Sequence, residues 1–90
     1  MPKVKLNTFL MEHTGIPSTH EVAGNTVREC LDDFIKQHPE AENWLYGQYG
    51  YTGTIISINN AEMITMDEES LNRNLKSDDE LMIFALVSGG

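Results

Sequence analysis

The order of elements predicts an α+β fold: a mixed four- to five-stranded sheet with one main helix laid across one face. Three observations predict it. Val27, Leu31, Phe34 and Ile35 recur at helical spacing in one amphipathic stretch. Strand-like runs lie on both sides of that stretch, Val4 to Leu10 before it and Thr54-Ile55-Ile56-Ser57-Ile58 after it. A last apolar run, Leu81-Met82-Ile83-Phe84, precedes Val87-Ser88-Gly89-Gly90. A single apolar helix stripe packed on one sheet makes a two-layer core.

Taken in order, Val4 to Leu10 begins with the apolar–polar alternation of a half-buried strand. Met11 to Pro17, with Gly15 and Pro17, reads as a turn or loop. Ser18 to Val22 is a short second strand that closes a hairpin with the first. Thr26-Val27-Arg28-Glu29 has the form of a capping box, with Asn25 as the alternative cap. The helix ends at Pro39, because the residue before a proline disfavours α geometry. Glu40 to Gly53 is the least regular stretch. Its Trp44, Tyr46, Tyr49 and Tyr51 read as a satellite core beneath a loop, or else as a recognition surface. Asn59-Asn60 suits a tight turn between Thr54–Ile58 and a return strand at Ala61–Thr65, since asparagine tolerates positive φ. A short turn or helical piece around Glu69–Asn72 and a polar turn at Lys76–Asp79 lead to the last strand, which is expected at the centre. Leu81, Ile83 and Ala85 then face the helix, and Met82 and Phe84 face away.

Ninety residues suit one domain with a modest core. We expect residues 1–86 to form it and residues 87–90 to be a flexible tail. No apolar run approaches the roughly 18 residues of a membrane span, and no secretory h-region follows Met1. The single cysteine, Cys30, excludes an intrachain disulfide and a four-thiolate centre, which makes a cytoplasmic setting the expectation. A formal charge of −8, from 14 acids against 6 bases, argues against nucleic acid and against an anionic membrane. The expected partner is a protein with a basic or mixed groove.

The Gly89-Gly90 tail is the chemically suggestive part. Without Cβ atoms it can thread a channel too narrow for side chains and deliver its own carboxylate to another protein's active site. A frayed, inert tail is the other reading.

This order of elements resembles the ubiquitin-like β-grasp fold, and more closely the MoaD/ThiS family of sulfur carriers. The residues that carry the likeness are Ile56-Ser57-Ile58-Asn59-Asn60, the run from Leu75 to Phe84, Val87-Ser88-Gly89-Gly90, and the helix start Thr26 to Leu31. Where the molybdopterin branch often has prolines, this chain has Ala85-Leu86. Thr8 to Gly15 looks more like the carriers that supply sulfur for cysteine or homocysteine synthesis.

The resemblance implies that an E1-like adenylating enzyme joins the Gly90 carboxylate to AMP at the expense of ATP. Sulfur then displaces AMP, and the C-terminal thiocarboxylate passes to a sulfur-accepting synthase or large subunit. The carrier is then a protein cosubstrate rather than an enzyme, with no bound cofactor or metal. Leu86, Val87, Ser88 and Gly89 would thread the tail. Met82, Phe84 and Ile55 would form the docking patch, an aromatic among apolar residues being a usual interface anchor. Two other readings stay open: a ubiquitin-like modifier joined to lysines through Gly90, and an interaction module with an inert tail.

Cys30 shares the apolar helix face and reads as core rather than as a sulfur relay. His13, His20 and His38 show no spacing that favours a metal site. The runs Asp67–Glu69 and Asp78–Glu80 lack the ligand pattern of a calcium loop and read as solvated faces.

Overall fold

A computed structural model describes residues 1–45 and 53–86. Strand β1 spans Lys3–Leu6, helix α1 Thr8–Thr14, β2 Thr19–Glu21 and α2 Val27–Gln37. A 3-10 turn at Pro39–Ala41 leads into α3, Glu42–Leu45. Then come β3 at Gly53–Ile58, β4 at Glu62–Ile64, α4 at Glu68–Leu71 and β5 at Glu80–Leu86. The five strands form one mixed sheet in the order β2-β1-β5-β3-β4. Its central pair, β1 and β5, is parallel, and the other pairs are antiparallel. This is the β-grasp arrangement, with α2 packed on one face.

The first forty residues hold the main departure from expectation. The first strand stops at Leu6 rather than Leu10, and a two-turn helix replaces much of the expected loop. Asn7 Oδ1 accepts from the Leu10 N–H at 3.1 Å, which caps α1. Gly15, at φ 73°, closes it by donating its N–H to the Met11 carbonyl at 2.9 Å. An extended chain would send Phe9 and Leu10 to opposite faces. The helix instead buries Leu10 completely and packs Phe9 and Met11 against the core. Strands β1 and β2 therefore pair, Val4 opposite His20, without a tight hairpin between them.

Helix α2 begins and ends close to where its residues say. Thr26 Oγ1 accepts from the Glu29 N–H at 3.2 Å. The Glu29 carboxylate reaches one residue further back than a capping box requires, to the Asn25 N–H at 2.7 Å. The Val27 N–H, another unpaired donor of the first turn, finds the Arg73 carbonyl at 3.0 Å. Gly24 lies against this turn so closely that a Cβ would stand 2.8 Å from the Cys30 nitrogen. Val27, Cys30, Leu31 and Phe34 are buried against Val4, Leu6, Ile56, Ile58, Leu81 and Ile83 of the sheet. Burying a side chain of this size contributes about 1.5–3 kcal/mol.

The remaining connections are local. Ala41 and Leu45, in the helical turns after α2, are buried. Tyr46, Tyr49, Tyr51 and the side chain of Trp44 lie outside the described residues. Asn59 and Asn60 turn the chain from β3 to β4 with φ of 53° and 57°, and the Ala61 N–H donates to the Ile58 carbonyl at 3.0 Å. Asp67 caps α4 by accepting from the Ser70 N–H at 2.8 Å, and Arg28 of α2 pairs with Glu68 at 3.0 Å. Among the described residues no helix is long and apolar enough to cross a membrane.

Candidate functional site

β5 builds the site because it is central and alternates. Leu81 and Ile83 are fully buried beneath α2, which sends Met82 and Phe84 to the face of the sheet away from that helix. Phe84 is the register partner of Ile55, so two of the expected docking residues stand side by side on adjacent strands. Met82 is the partner of both Ser57 and Lys5, and Ser57 is in turn the partner of Met63. One row thus crosses four strands as Lys5, Met82, Ser57 and Met63.

All three expected residues, Met82, Phe84 and Ile55, are half-buried. Met63 was not expected, yet it is the most exposed large apolar side chain of the patch, at 61%. The signal that could have found it is the alternation within β4, where Ile64 is buried and its neighbour must point the other way. Ser57 lies on the same face but is buried between its neighbours. Lys5 and Glu80 pair at 3.4 Å beside Met82 and give the patch a mixed-charge margin.

The same central strand carries the chain toward the tail. Leu86, the last residue of β5, is the register partner of Gly53. Val87, Ser88, Gly89 and Gly90 lie outside the described residues. The start of β5 is held by the Asn59 side chain, which donates to Asp79 Oδ1 and accepts from the Glu80 N–H, both at 2.9 Å. The Lys76 N–H also donates to Asp79 at 2.8 Å. These donors hold the Asp79 carboxyl below its ordinary value, the Lys76 backbone contributing most.

Cys30 takes no part in this surface. It is fully buried, and its thiol is pushed up to about 11 by burial, then by the nearby charges of Glu29 and Asp33. Such a thiol stays protonated at neutral pH and is a poor nucleophile. His13 stacks on Phe9 at a centroid distance of 4.2 Å, whereas His20 and His38 meet although 18 residues separate them. Among the described residues no group of three or more His, Cys, Asp or Glu side chains could hold a metal ion.

Against known proteins, the family model of the ThiS family matches residues 4–90. None of the curated proteins matches significantly. Three solved structures are similar over nearly the whole chain. A chain of the Amycolatopsis orientalis BexX/CysO complex is 27% identical, with 100% of both chains covered and a TM-score of 0.76. The small archaeal modifier protein 1 (SAMP1) of Methanosarcina acetivorans is 28% identical, covering 99% of this chain and 95% of that one, at a TM-score of 0.75. SAMP1 of Haloferax volcanii is 30% identical, covering 99% and 98%, at 0.71. The match begins in β1, passes through every described element and runs on to Gly90; this chain belongs to the ThiS family.

Proposed function

We propose that this protein is a sulfur carrier whose reactive group is the C-terminal carboxylate of Gly90. The observation that carries the reading is the family match through residue 90, joined to a central strand that leads straight into the tail. A carboxylate is a poor electrophile, so it needs activation. An E1-like partner directs a carboxylate oxygen onto the α-phosphorus of ATP, and pyrophosphate leaves. Sulfide then attacks the acyl carbon, AMP leaves with the bonding electrons, and a thiocarboxylate remains. An accepting synthase takes the sulfur for a biosynthetic product, of the molybdopterin or the cysteine and homocysteine type.

The carrier contributes presentation. Docking through Met82, Phe84, Ile55 and Met63 raises the local concentration of the tail at the partner's site. Leu86 and Val87 anchor the approach, and Ser88, Gly89 and Gly90 thread it. Two of the six bases, Lys3 and Lys5, alternate onto the docking face of β1, so the partner surface is expected to be of mixed charge. The setting is cytoplasmic.

The SAMP1 likeness favours a second reading, in which a lysine amine of a target protein attacks the same adenylate and forms an isopeptide bond through Gly90. One experiment separates the two. The chain is incubated with an E1-like enzyme, ATP and sulfide, and its intact mass is measured. Gain of the sulfur-for-oxygen difference, placed on Gly90 by fragmentation and lost when Gly90 is deleted, supports the carrier. Attachment to lysines without that gain supports the modifier. Neither change in the presence of competent enzyme overturns both.

A further inference from the structure

The β2 edge of the sheet holds an arrangement that tail chemistry does not use. His20 is the register partner of Val4 and so faces the α2 layer, while His38 stands at the C-terminus of α2. Their rings lie 4.6 Å apart at 74°, and both pack on Phe34, at 5.2 and 5.5 Å. His38 Nε2 and His20 Nδ1 are hydrogen-bonded at 3.3 Å. The direction of that bond follows from its neighbours. His20 Nε2 meets the Pro17 carbonyl at 2.5 Å; a carbonyl only accepts, so in the neutral ring Nε2 carries the proton and Nδ1 is bare. His38 Nε2–H is therefore the donor, which leaves His38 Nδ1 bare, 3.8 Å from the Glu40 carboxylate. One chain of hydrogen bonds thus joins the Pro17 carbonyl, β2 and the end of α2.

We propose that this pair is a pH-sensitive latch between β2 and the end of α2, closed while at most one added proton is bound and open when both rings are charged. The two sites left for added protons are not equivalent. A proton on His38 Nδ1 faces Glu40 and leaves Nε2–H donating to His20, now with charge assistance. A proton on His20 Nδ1 removes the only acceptor of the bond. Two N–H groups, each on a cationic ring, then oppose one another across 3.3 Å, and the rings must part. The surrounding charges do not offset two cations. Glu40 is the carboxylate at the pair. On α2, Asp33 is occupied in accepting from Gln37 Nε2 at 3.2 Å, and Lys36 is exposed. On this side β1 offers the apolar Val4, because Lys3 and Lys5 alternate to the other face together with Glu21 and Thr19. The His38 side chain is 24% exposed, so the pair exchanges protons with solvent. Once released, the three residues of β2 keep β1 and the Gln37 side chain, which donates to the Glu21 carbonyl at 2.9 Å.

The test is nitrogen NMR of the untagged full chain, titrated from about pH 8 to about pH 5, the span in which histidines change charge. At the upper end we expect a coupling through the hydrogen bond between His20 Nδ1 and His38 Nε2, and at the lower end its loss. The Leu6 and Val22 amides donate to the Ser18 and Pro2 carbonyls on either side of β2. Their hydrogen exchange, corrected for intrinsic pH dependence, should quicken roughly threefold to tenfold over the same span, as loss of one hydrogen bond implies. His38→Ala removes the donor, so it should show the faster exchange at the upper end already and gain nothing on acidification. His13→Ala should leave both readouts unchanged, since that ring stacks on Phe9 in α1. Should His38→Ala fail to fold, the coupling and exchange of the unaltered chain still decide. A missing coupling at the upper end, one that survives at the lower end, or edge protection indifferent to pH would overturn the proposal.

Discussion

On the α2 side of β5, Leu81 and Ile83 are sealed from water, while one residue along, on the other side, Met82 and Phe84 are only half-covered. The strand, the register and the neighbours β1 and β3 are shared, so the difference is one of covering layer alone. It teaches that alternate residues of one strand answer to separate constraints. Truncating an inward residue leaves a cavity in a close-packed layer. Truncating an outward one removes surface that matters only when a partner covers it.

The sharpest way to break this comparison is to truncate both sides of β5. Ile83→Ala should cost about 2–5 kcal/mol in denaturant unfolding, a large share of the roughly 5–15 kcal/mol that holds a small domain together. Phe84→Ala should cost less than about 1.5 kcal/mol. It should nonetheless slow thiocarboxylate formation by an activating enzyme at least tenfold, as loss of an aromatic interface anchor does. Equal destabilisation by the two substitutions would erase the distinction between the faces.

Gly24→Ala sharpens the covered side from its other layer. The added methyl would stand 2.8 Å from both the Cys30 nitrogen and the Glu29 Cβ, so α2 must shift on the sheet. A loss of about 1–3 kcal/mol is expected from such overpacking, with tail activation falling only as far as folding does.

A chemical probe comes next. Native protein at neutral pH should leave Cys30 unalkylated by iodoacetamide, because the thiol is buried and raised to about 11. Modification should follow global unfolding, and rapid labelling of the native state would show that the covered face opens locally.

The smallest effect lies at the rim. Asp79 is held below its ordinary value by the Lys76 backbone and the Asn59 side chain, Asp67 by Thr65 and Ser70, and Glu62 by Arg73. A carboxyl depressed in the folded state stabilises it fully above the unfolded value. That contribution is lost as pH falls from the ordinary carboxylate range through the lower folded values. Thermal midpoints should therefore decline modestly on acidification across that window, and Asn59→Ala should flatten the decline.

Much of the fold was legible where local chemistry suffices. Thr26, the apolar spacing to Phe34 and the proline at 39 mark α2 because capping and burial both act within a few residues. Asn59-Asn60 marks its turn because both residues tolerate positive φ, which both adopt. Helix α1 was missed for a physical reason. Seven residues make barely two turns, too few for a period to show, and the alternation of β1 runs into Phe9 and Leu10. Asn7 and Gly15 bracket the helix all the same. In the proposed docking patch, the outward placement of Met82 and Phe84 followed from alternation once β5 was recognised. For Met63, alternation within β4 could give the face, but its place beside Ser57 depends on the β3–β4 register.

What the residues determined unaided is everything set over short distances: the caps, the turns, the alternation of β5 and the amphipathic stripe of α2. Tertiary structure alone decided which strands became neighbours, and with that the row Lys5, Met82, Ser57 and Met63 and the meeting of His20 with His38. Periodicity reports which face of an element is apolar. It carries no record of which distant element will cover that face, because that choice belongs to the packing of the whole sheet against its helix.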